Sequence, residues 1–316
     1  MTNGQTPTQP PTGKQKRRSR HKRDTTNLPP LELTERDVAI LQSVGQFQLL
    51  SSKQIQLLFF RSLHKTRKRL FRLWEHGLLE RRFPPVHLGE GTRPVIYTLA
   101  PKGARLLGSQ GGLIDEAGER AIPKATFNRK ASPLFYEHTI RRNDFQLALT
   151  LACRQAPNVE VLFWRQDRSI KDAVTFLNGN GKTPAILRKV PLFADGFFGL
   201  EVKDRKLYFF VEIDRGTTDN KRFLTKMKGY YHLWLQRRHV KRYGIENFRV
   251  LVVTTSKARM ENLIQTAKKV RQGNGGSGLF WFTTFDRYST DIPLSILGHI
   301  WKRASAGNGD DHSILD

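Results

Sequence analysis

Apolar residues recur at helical spacing in three successive segments of the first third of the chain. Thr34 precedes the first segment, ERDVAILQSVGQF, in which Leu41 and Val44 fall on one helical face. The second segment is KQIQLLFF, and the third is SLHKTRKRLFRLWEH, which Gly77 follows as a helix C′ residue. LLERRF, the turn-rich PPVHLGEGTRP and VIYTLA come next, in a pattern typical of a β-hairpin. Three helices and a hairpin in this order predict a winged helix-turn-helix over residues 31–110.

Strands alternate with helices in the second part of the chain. A long helical pattern, FYEHTIRRNDFQLALTLACRQ, precedes the strand NVEVLFWRQ, the irregular SIKDAVTFLNGNGKT and the two strands VPLFADGFFGLEV and KLYFFVEID. The helix TDNKRFLTKMKGYYHLWLQRRH, the strand FRVLVVTTS, the helix KARMENLIQTAKKVRQ and the strand GLFWFTTFD follow. The alternation predicts an α/β (α+β) domain over residues 133–303, with a mixed sheet flanked by helices. Residues 111–132 are predicted to be a linker, and residues 1–30 and 304–316 to be disordered tails.

The charge of the chain narrows the choice of partner. There are 54 Lys and Arg residues against 28 Asp and Glu residues, which gives a net charge of +26. Binding to a polyanion relieves electrostatic self-repulsion of this size. The basic block at residues 14–23 is likewise expected to bind a polyanion. No apolar run approaches the ~18 residues of a membrane span, and the polar N-terminus lacks an apolar signal core. With Cys153 as its one cysteine, the chain is expected to be a cytoplasmic protein that binds double-stranded DNA and no membrane.

The third helical segment separates apolar from cationic side chains. With Leu70 at the centre of the buried face, Leu63 and Leu73 fall beside it, and the basic residues fall on the opposite side. Such a helix can pack on its own domain and present hydrogen-bond donors to the major groove. The alternative interpretation is a basic face that is merely solvated. The residues predicted to contact DNA, from this helix, the turn before it and the hairpin, are Arg61, His64, Lys65, Lys68, Arg69, Arg72, Arg81, Arg82 and Arg93.

Three carboxylates lie in apolar surroundings in the second part of the chain. Asp195 lies in PLFADGFFGLE, and Glu212 and Asp214 lie two residues apart in LYFFVEIDRG, which places these two on one strand face. Converging carboxylates in an apolar sheet need a cation among them, and Mg²⁺ prefers such oxygen ligands. Glu137 on the preceding helix would complete a metal set with Asp195 and Glu212, suited to hydrolysis of a phosphodiester by metal-bound water. The alternative is that these acids serve as turn and bulge residues.

Two family resemblances rest on these segments. The order of the strands and helices, with an Asp on the second strand and an E-x-(K) pair on the third, resembles the PD-(D/E)XK nuclease fold. The whole layout, a winged helix followed by FYEHTIRRND and then FFVEIDRGTTDNKRFLTKMKGYY, is similar to the replication-relaxation family of plasmid and integrative-element proteins, over roughly residues 34–290. This resemblance implies DNA binding in the replication or mobilisation of a mobile element, with a homodimer or replication and mobilisation proteins as further partners.

The chain departs from the nuclease pattern at two positions. Ala194 stands where the motif has Pro, and Asp214 stands where it has the catalytic Lys. Lys221, Lys226 or Lys228 on the next helix could reach back to replace that ammonium. The resemblance thus implies a catalytic set of Asp195, Glu212, Asp214, Lys226 and Lys228. Three functions stay open: a DNA-binding replication protein with a degenerate nuclease-like domain, a winged-helix transcriptional regulator whose α/β domain dimerises or senses a ligand, and an active Mg²⁺-dependent endonuclease.

Overall fold

The chain divides into two compact units, Met1–Phe127 and Asn128–Asp316. A computed structural model describes residues 22–23, 28–84, 93–109, 132–166, 170–178, 186–271, 275–305 and 309–316. Within these ranges, none of the helices combines the length and the apolar composition that crossing a bilayer requires. The predicted linker falls almost entirely outside the described residues, and so does most of the predicted N-terminal tail.

In its described residues, the first unit contains four helices and a small antiparallel sheet. In chain order its elements are α1 (Glu35–Gln46), β1 (Leu50–Ser51), α2 (Ser52–Phe59), α3 (Leu63–Glu75), β2 (Leu79–Arg82), β3 (Ile96–Leu99) and α4 (Pro101–Ser109). The strands are ordered β1-β3-β2. Capping boxes begin α1, between Thr34 and Asp37, and α2, between Ser51 and Gln54. Apolar residues of the helices and strands pack together into one core.

Two glycines allow the tight connections around α3. Gly77 has a φ of +76°, the left-handed conformation that ends a helix, so that the chain turns directly into β2. Gly103 lies in α4 where a Cβ atom would come within 2.3 Å of the Leu78 carbonyl oxygen. Any other residue at position 103 would therefore push α4 away from the start of β2.

The second unit contains a seven-stranded mixed sheet with helices on both faces. Its helices are α5 (Pro133–Gln155), α6 (Asn220–Leu235), α7 (Arg238–Tyr243) and α8 (Lys257–Lys268). Its strands are β4 (Val159–Arg165), β5 (Asp172–Asn178), β6 (Ile186–Leu192), β7 (Gly196–Val202), β8 (Arg205–Ile213), β9 (Arg249–Thr254), β10 (Gly276–Thr284), β11 (Trp301–Ser305) and β12 (Asp311–His312). The sheet order is β12-β11-β10-β9-β8-β7-β4, with β8, β9 and β10 parallel and the other neighbours antiparallel.

The two faces of this sheet have different partners. One face packs on α5, and the other packs on α6 and α8, where the separate hairpin β5–β6 joins the core. The predicted α/β (α+β) class is therefore confirmed. The segment predicted to be irregular forms β5 instead, because Val174 and Phe176 alternate with outward residues and pack against α6.

The predicted disordered tail at residues 304–316 is wrong for the residues that the structure describes there. β11 extends to Ser305, and β12 pairs with it. Ile314 is fully buried, and Arg249 holds its carbonyl oxygen through a hydrogen bond of 2.7 Å from Nη1. The polar sequence GNGDDHS suggested disorder, but one buried isoleucine and its hydrogen bonds are enough to hold this short segment on the sheet edge.

Candidate functional site

The outward face of α3 carries exposed basic side chains. His64, Lys65, Arg67 and Lys68 are exposed, whereas Leu70, Leu73 and Trp74 are buried in the core of the unit. Arg61 is exposed in the turn that precedes α3. The predicted separation of an apolar and a cationic face is thus confirmed. The buried face fixes the helix on its unit, so that these side chains all extend from one outward surface.

Arg69 and Arg72, further along α3, are used within the unit. Arg69 Nε donates to Asp37 Oδ1 at 2.8 Å, and its Nη2 donates to Asp37 Oδ2 and to the Glu32 carbonyl oxygen. Burial raises the pKa of Asp37, but the hydrogen bonds from Arg69 and Thr34 outweigh it and hold this pKa below its usual range. Arg72 Nη2 donates to the Pro30 carbonyl oxygen at 2.8 Å. These two arginines therefore fasten the segment before α1 to α3.

Of the predicted basic residues at the hairpin, Arg81 also contacts its own unit. The Arg81 guanidinium lies 3.5 Å from the centroid of a Trp74 ring, and Arg82 and Arg93 are half-buried. Arg23, from the segment predicted to be a disordered tail, donates to the Trp74 and Leu79 carbonyl oxygens at 2.8 and 2.9 Å. Sequence reasoning missed this contact because nothing in a basic run marks one arginine as docked. The tip of the predicted wing, residues 85–92, lies outside the described residues.

Two of the predicted carboxylates meet where β7 begins and β8 ends. The antiparallel register pairs Gly196 with Val211, so that Asp195 lies across from Glu212. Asp195 Oδ2 accepts a hydrogen bond of 2.7 Å from the Ile213 N–H. The carboxylates therefore converge as the spacing predicted, at the end of the β8 strand.

α6 supplies the cation and a second donor to this cluster. Lys226 Nζ pairs with Glu212 Oε2 and donates to the Phe193 carbonyl oxygen at 2.8 Å. Tyr230, one helical turn later, donates from its hydroxyl to Glu212 Oε1 at 2.5 Å. Of the lysines that could replace the ammonium missing at position 214, Lys226 is thus the one that reaches the carboxylates. We call Asp195, Glu212, Lys226 and Tyr230, with His138, the acidic cluster.

The surroundings shift the protonation of the acidic cluster in both directions. Burial raises the pKa of Glu212 to about 7, even though the Lys226 ammonium pulls it down. Burial also raises the pKa of Asp195, but the His138 imidazole, 3.2 Å from Asp195 Oδ1, and Lys226 reverse this and lower it. Burial and the nearby Glu212 raise the pKa of Tyr230 well above its usual range. Sequence reasoning missed His138 and Tyr230, although the spacing of four between Lys226 and Tyr230 placed them on one helical face.

The remaining predicted site residues lie apart from the acidic cluster. Asp214 accepts hydrogen bonds from Thr254 Oγ1 at 2.7 Å and from Arg259 Nε at 3.0 Å. Lys228 follows Lys226 by two residues, which turns it about 200° around the helix, and its charge contributes to the lowered pKa of His232 after burial. Asp214 is therefore bound to the start of α8, and Lys228 faces another side of α6.

The predicted metal ligands are not assembled into a metal site. Glu137 Oε2 lies 3.5 Å from Arg215 Nη1, and the oxygens of Asp195 and Glu212 already accept hydrogen bonds from protein donors. Among the residues that the structure describes, no group of three or more His, Cys, Asp and Glu side chains could hold a metal ion. In this arrangement the Lys226 ammonium supplies positive charge beside Glu212.

Comparison of the chain with curated proteins and with solved structures gives no match. Residues 41–248 match the family model described as replication-relaxation, a span that reaches from α1 to the start of β9 and includes both α3 and the acidic cluster. This match agrees with the resemblance drawn from the sequence, and it suggests a role in plasmid or mobile-element replication. Because the match covers well over half of the chain, the protein belongs to the replication-relaxation family.

Proposed function

We propose that this protein binds duplex DNA through the outward face of α3. We propose that this binding serves the replication or mobilisation of a plasmid or other mobile element. The observation that carries the proposal is the exposure of Arg61, His64, Lys65 and Lys68 at one end of a helix whose opposite face is core. The net charge of +26 supports a polyanionic partner.

The first unit fits a winged helix-turn-helix in which α3 enters the major groove. α2 and α3 are joined by a short turn, and the N-terminal part of a recognition helix is where base contacts concentrate. His64 and Lys65 lie in the first turn of α3, and Lys68 lies one turn later, in reach of phosphates. Arg69 and Arg72 serve this function indirectly, because they hold α3 to the segment before α1.

Charge reversal on α3 tests the proposal. The Lys65→Glu/Lys68→Glu double variant is expected to lose measurable binding to a fluorescent 30-base-pair duplex in fluorescence anisotropy, whereas the wild-type affinity falls steeply with salt. Arg222→Glu is the matched control, since that side chain is 85% exposed in the second unit. Unchanged duplex binding by the double variant would exclude α3 as the DNA-contacting element.

A replication assay separates this function from that of a transcriptional regulator. The same double variant, supplied in place of the wild-type protein, is expected to lower copy number or transfer of the parent element. If it changed only the level of transcripts, the regulator with a dimerising or ligand-sensing α/β domain would be the better description. The size of the protein in solution, from light scattering, tests the homodimer that either function allows.

Metal-dependent DNA cleavage is a second candidate function, and one observation favours it. Lys226 occupies the neighbourhood of Asp195 and Glu212 that the nuclease pattern assigns to a lysine two residues after the glutamate. Supercoiled plasmid incubated with the protein and Mg²⁺, Mn²⁺ or EDTA decides the matter. Nicking that requires metal and disappears in Glu212→Gln would establish an endonuclease. Binding without nicking under every condition would leave the acidic cluster as part of the scaffold.

A further inference from the structure

The second unit has a basic edge that neither α3 nor the acidic cluster explains. α6 and α8 follow the parallel strands β8 and β9 and pack against each other, so they run in the same direction. Their C-terminal ends therefore lie at the edge formed by the N-terminal ends of β8 and β9. Glu212 lies at the opposite edge, near the C-terminal end of β8. α7 lies at this edge too, because the His239 ring contacts Phe248, which immediately precedes β9.

Exposed cations and one aromatic ring occupy this edge. From Lys221 to Tyr243 the chain has eight Lys and Arg residues and no Asp or Glu. We call the exposed set at the ends of the three helices the basal surface: Trp234, Arg237, Lys241, Lys269 and Arg271. Cations near helix C-termini offset the helix dipole, but that effect does not require an exposed tryptophan beside them.

Few carboxylates balance the basal surface. Glu246 lies 3.2 Å from Arg237, with both side chains largely exposed, and Asp172 is shared by Arg238 and Arg242 on α7. Lys241, Lys269 and Arg271 form no ion pair with the residues that the structure describes. Excess positive charge therefore remains at this edge, where a polyanion could neutralise it.

Trp234 indicates which kind of polyanion would suit this surface. Its side chain is 40% exposed at the end of α6, with the Tyr231 ring at a centroid distance of 6.0 Å. The Arg237 N–H donates to the Trp234 carbonyl oxygen at 2.9 Å, which keeps the first cation within one turn of the ring. An exposed ring among cations suits unpaired bases, which stack on it while the phosphates meet the ammonium and guanidinium groups. Duplex bases already stack on each other and offer no free face except at their ends.

We propose that the basal surface binds single-stranded DNA, with a base stacked on Trp234 and with Arg237, Lys241, Lys269 and Arg271 along the backbone. This surface is independent of α3, so the protein would hold a duplex and a single strand with different units. Such a pair of sites suits a replication protein that works where a duplex has been opened.

The test measures the affinity of the full-length protein for fluorescein-labelled oligothymidine of 20 nucleotides, by anisotropy. Trp234→Ala is expected to weaken this binding about 5- to 150-fold, the range that loss of one stacked base implies. Trp234→Phe is expected to recover most of the affinity, because it keeps a ring. Circular dichroism of each variant checks that α6 is still folded. Should Trp234→Ala unfold, the Trp234→Phe and charge variants still decide the matter.

The second part of the test concerns the charged residues of the basal surface. Lys241→Ala and Lys269→Ala are each expected to lower the slope of log affinity against log salt by about 0.7 for the oligothymidine. Arg222→Ala, at the opposite end of α6, is the matched control and should leave the slope unchanged. Oligothymidine binding that none of the basal variants weakens would overturn the proposal, and so would an equal loss of duplex affinity in Trp234→Ala.

The arms also separate this proposal from the proposed function of α3. The Lys65→Glu/Lys68→Glu variant should lose the duplex and keep the oligothymidine. If that variant kept the duplex while the basal variants lost the single strand, the proposal for α3 would fail and the one for the basal surface would stand.

Discussion

The two cation-rich helices, α3 in the first unit and α6 in the second, use their charges in opposite ways. On α3 the basic residues of the first turns extend into solvent from a buried apolar face. On α6 the central lysine, Lys226, turns inward and neutralises Glu212. A basic run in a sequence can therefore mean a surface for an anionic partner or the counter-charge of a buried acid. Only the position of the matching carboxylate separates the two.

Both uses of positive charge occur within α3, where Lys68 and Arg69 are neighbours in sequence. Lys68 is exposed, and Arg69 is paired with the fully buried Asp37. We expect Arg69→Ala to lower the free energy of unfolding by about 3 kcal/mol, because it leaves a buried carboxylate without its partner. Urea denaturation measures the loss, and Lys68→Ala should change stability by less than about 0.5 kcal/mol.

The pair can be isolated with a second substitution. In an Asp37→Asn background, Arg69→Ala is expected to lose much less, since no buried charge remains uncompensated. Equal losses in both backgrounds would mean that Arg69 stabilises the unit through packing alone, and the contrast with Lys68 would then no longer concern charge.

Lys226→Ala is expected to lower the free energy of unfolding by about 2 kcal/mol at pH 8, the next largest effect, because Glu212 loses its charged donor and keeps the hydrogen bond from the Tyr230 hydroxyl. At pH 5 the loss should be smaller, because Glu212 can take up a proton instead. Urea denaturation at the two pH values measures both losses. Arg222→Ala on the same helix, with its side chain 85% exposed, serves as the control. A loss that does not depend on pH would show that Lys226 does not act through Glu212.

The raised pKa of Glu212 sets the sign of a pH effect in the wild-type protein. Its ordinary value is 4.5, and burial raises it to about 7 in the folded state. The folded state therefore holds a proton that the unfolded chain has released, and the contribution of Glu212 falls as the pH rises from about 4.5 through about 7. The difference in unfolding free energy between the wild type and Glu212→Gln, measured across this window, should decrease with pH. A difference in unfolding free energy that does not change with pH would show that Glu212 does not titrate in this window.

The features that could be predicted from the sequence are those that depend on local periodicity. The two faces of α3 follow from the spacing of Leu70 and Leu73 against Lys65 and Lys68, and the structure separates them as expected. The meeting of Asp195 and Glu212 follows from two apolar strands joined by a short turn, because an antiparallel register is then nearly fixed.

Features that depend on distant partners were not accessible in this way. Arg69 was expected to contact DNA, and nothing near it in sequence shows that Asp37, 32 positions earlier, lies against it. Glu137 was expected to join a metal site, and it lies against Arg215 instead. The choice of Lys226 over Lys221 and Lys228 depends on how α6 is rotated on the sheet, which periodicity alone does not give.

The smallest expected effects belong to single substitutions on the outer face of α3, and they test the comparison most finely. Lys65→Ala and Lys68→Ala should each weaken duplex binding a few-fold and lower its salt slope by about 1, the value for one lost phosphate contact. Thermal unfolding should be unchanged in both, since neither ammonium is matched by a carboxylate in the described part of the chain. A variant that lost stability along with affinity would place its lysine in the same class as Lys226. Exposure of a cation would then no longer indicate an external partner, because the side chain would stabilise the fold in the absence of DNA.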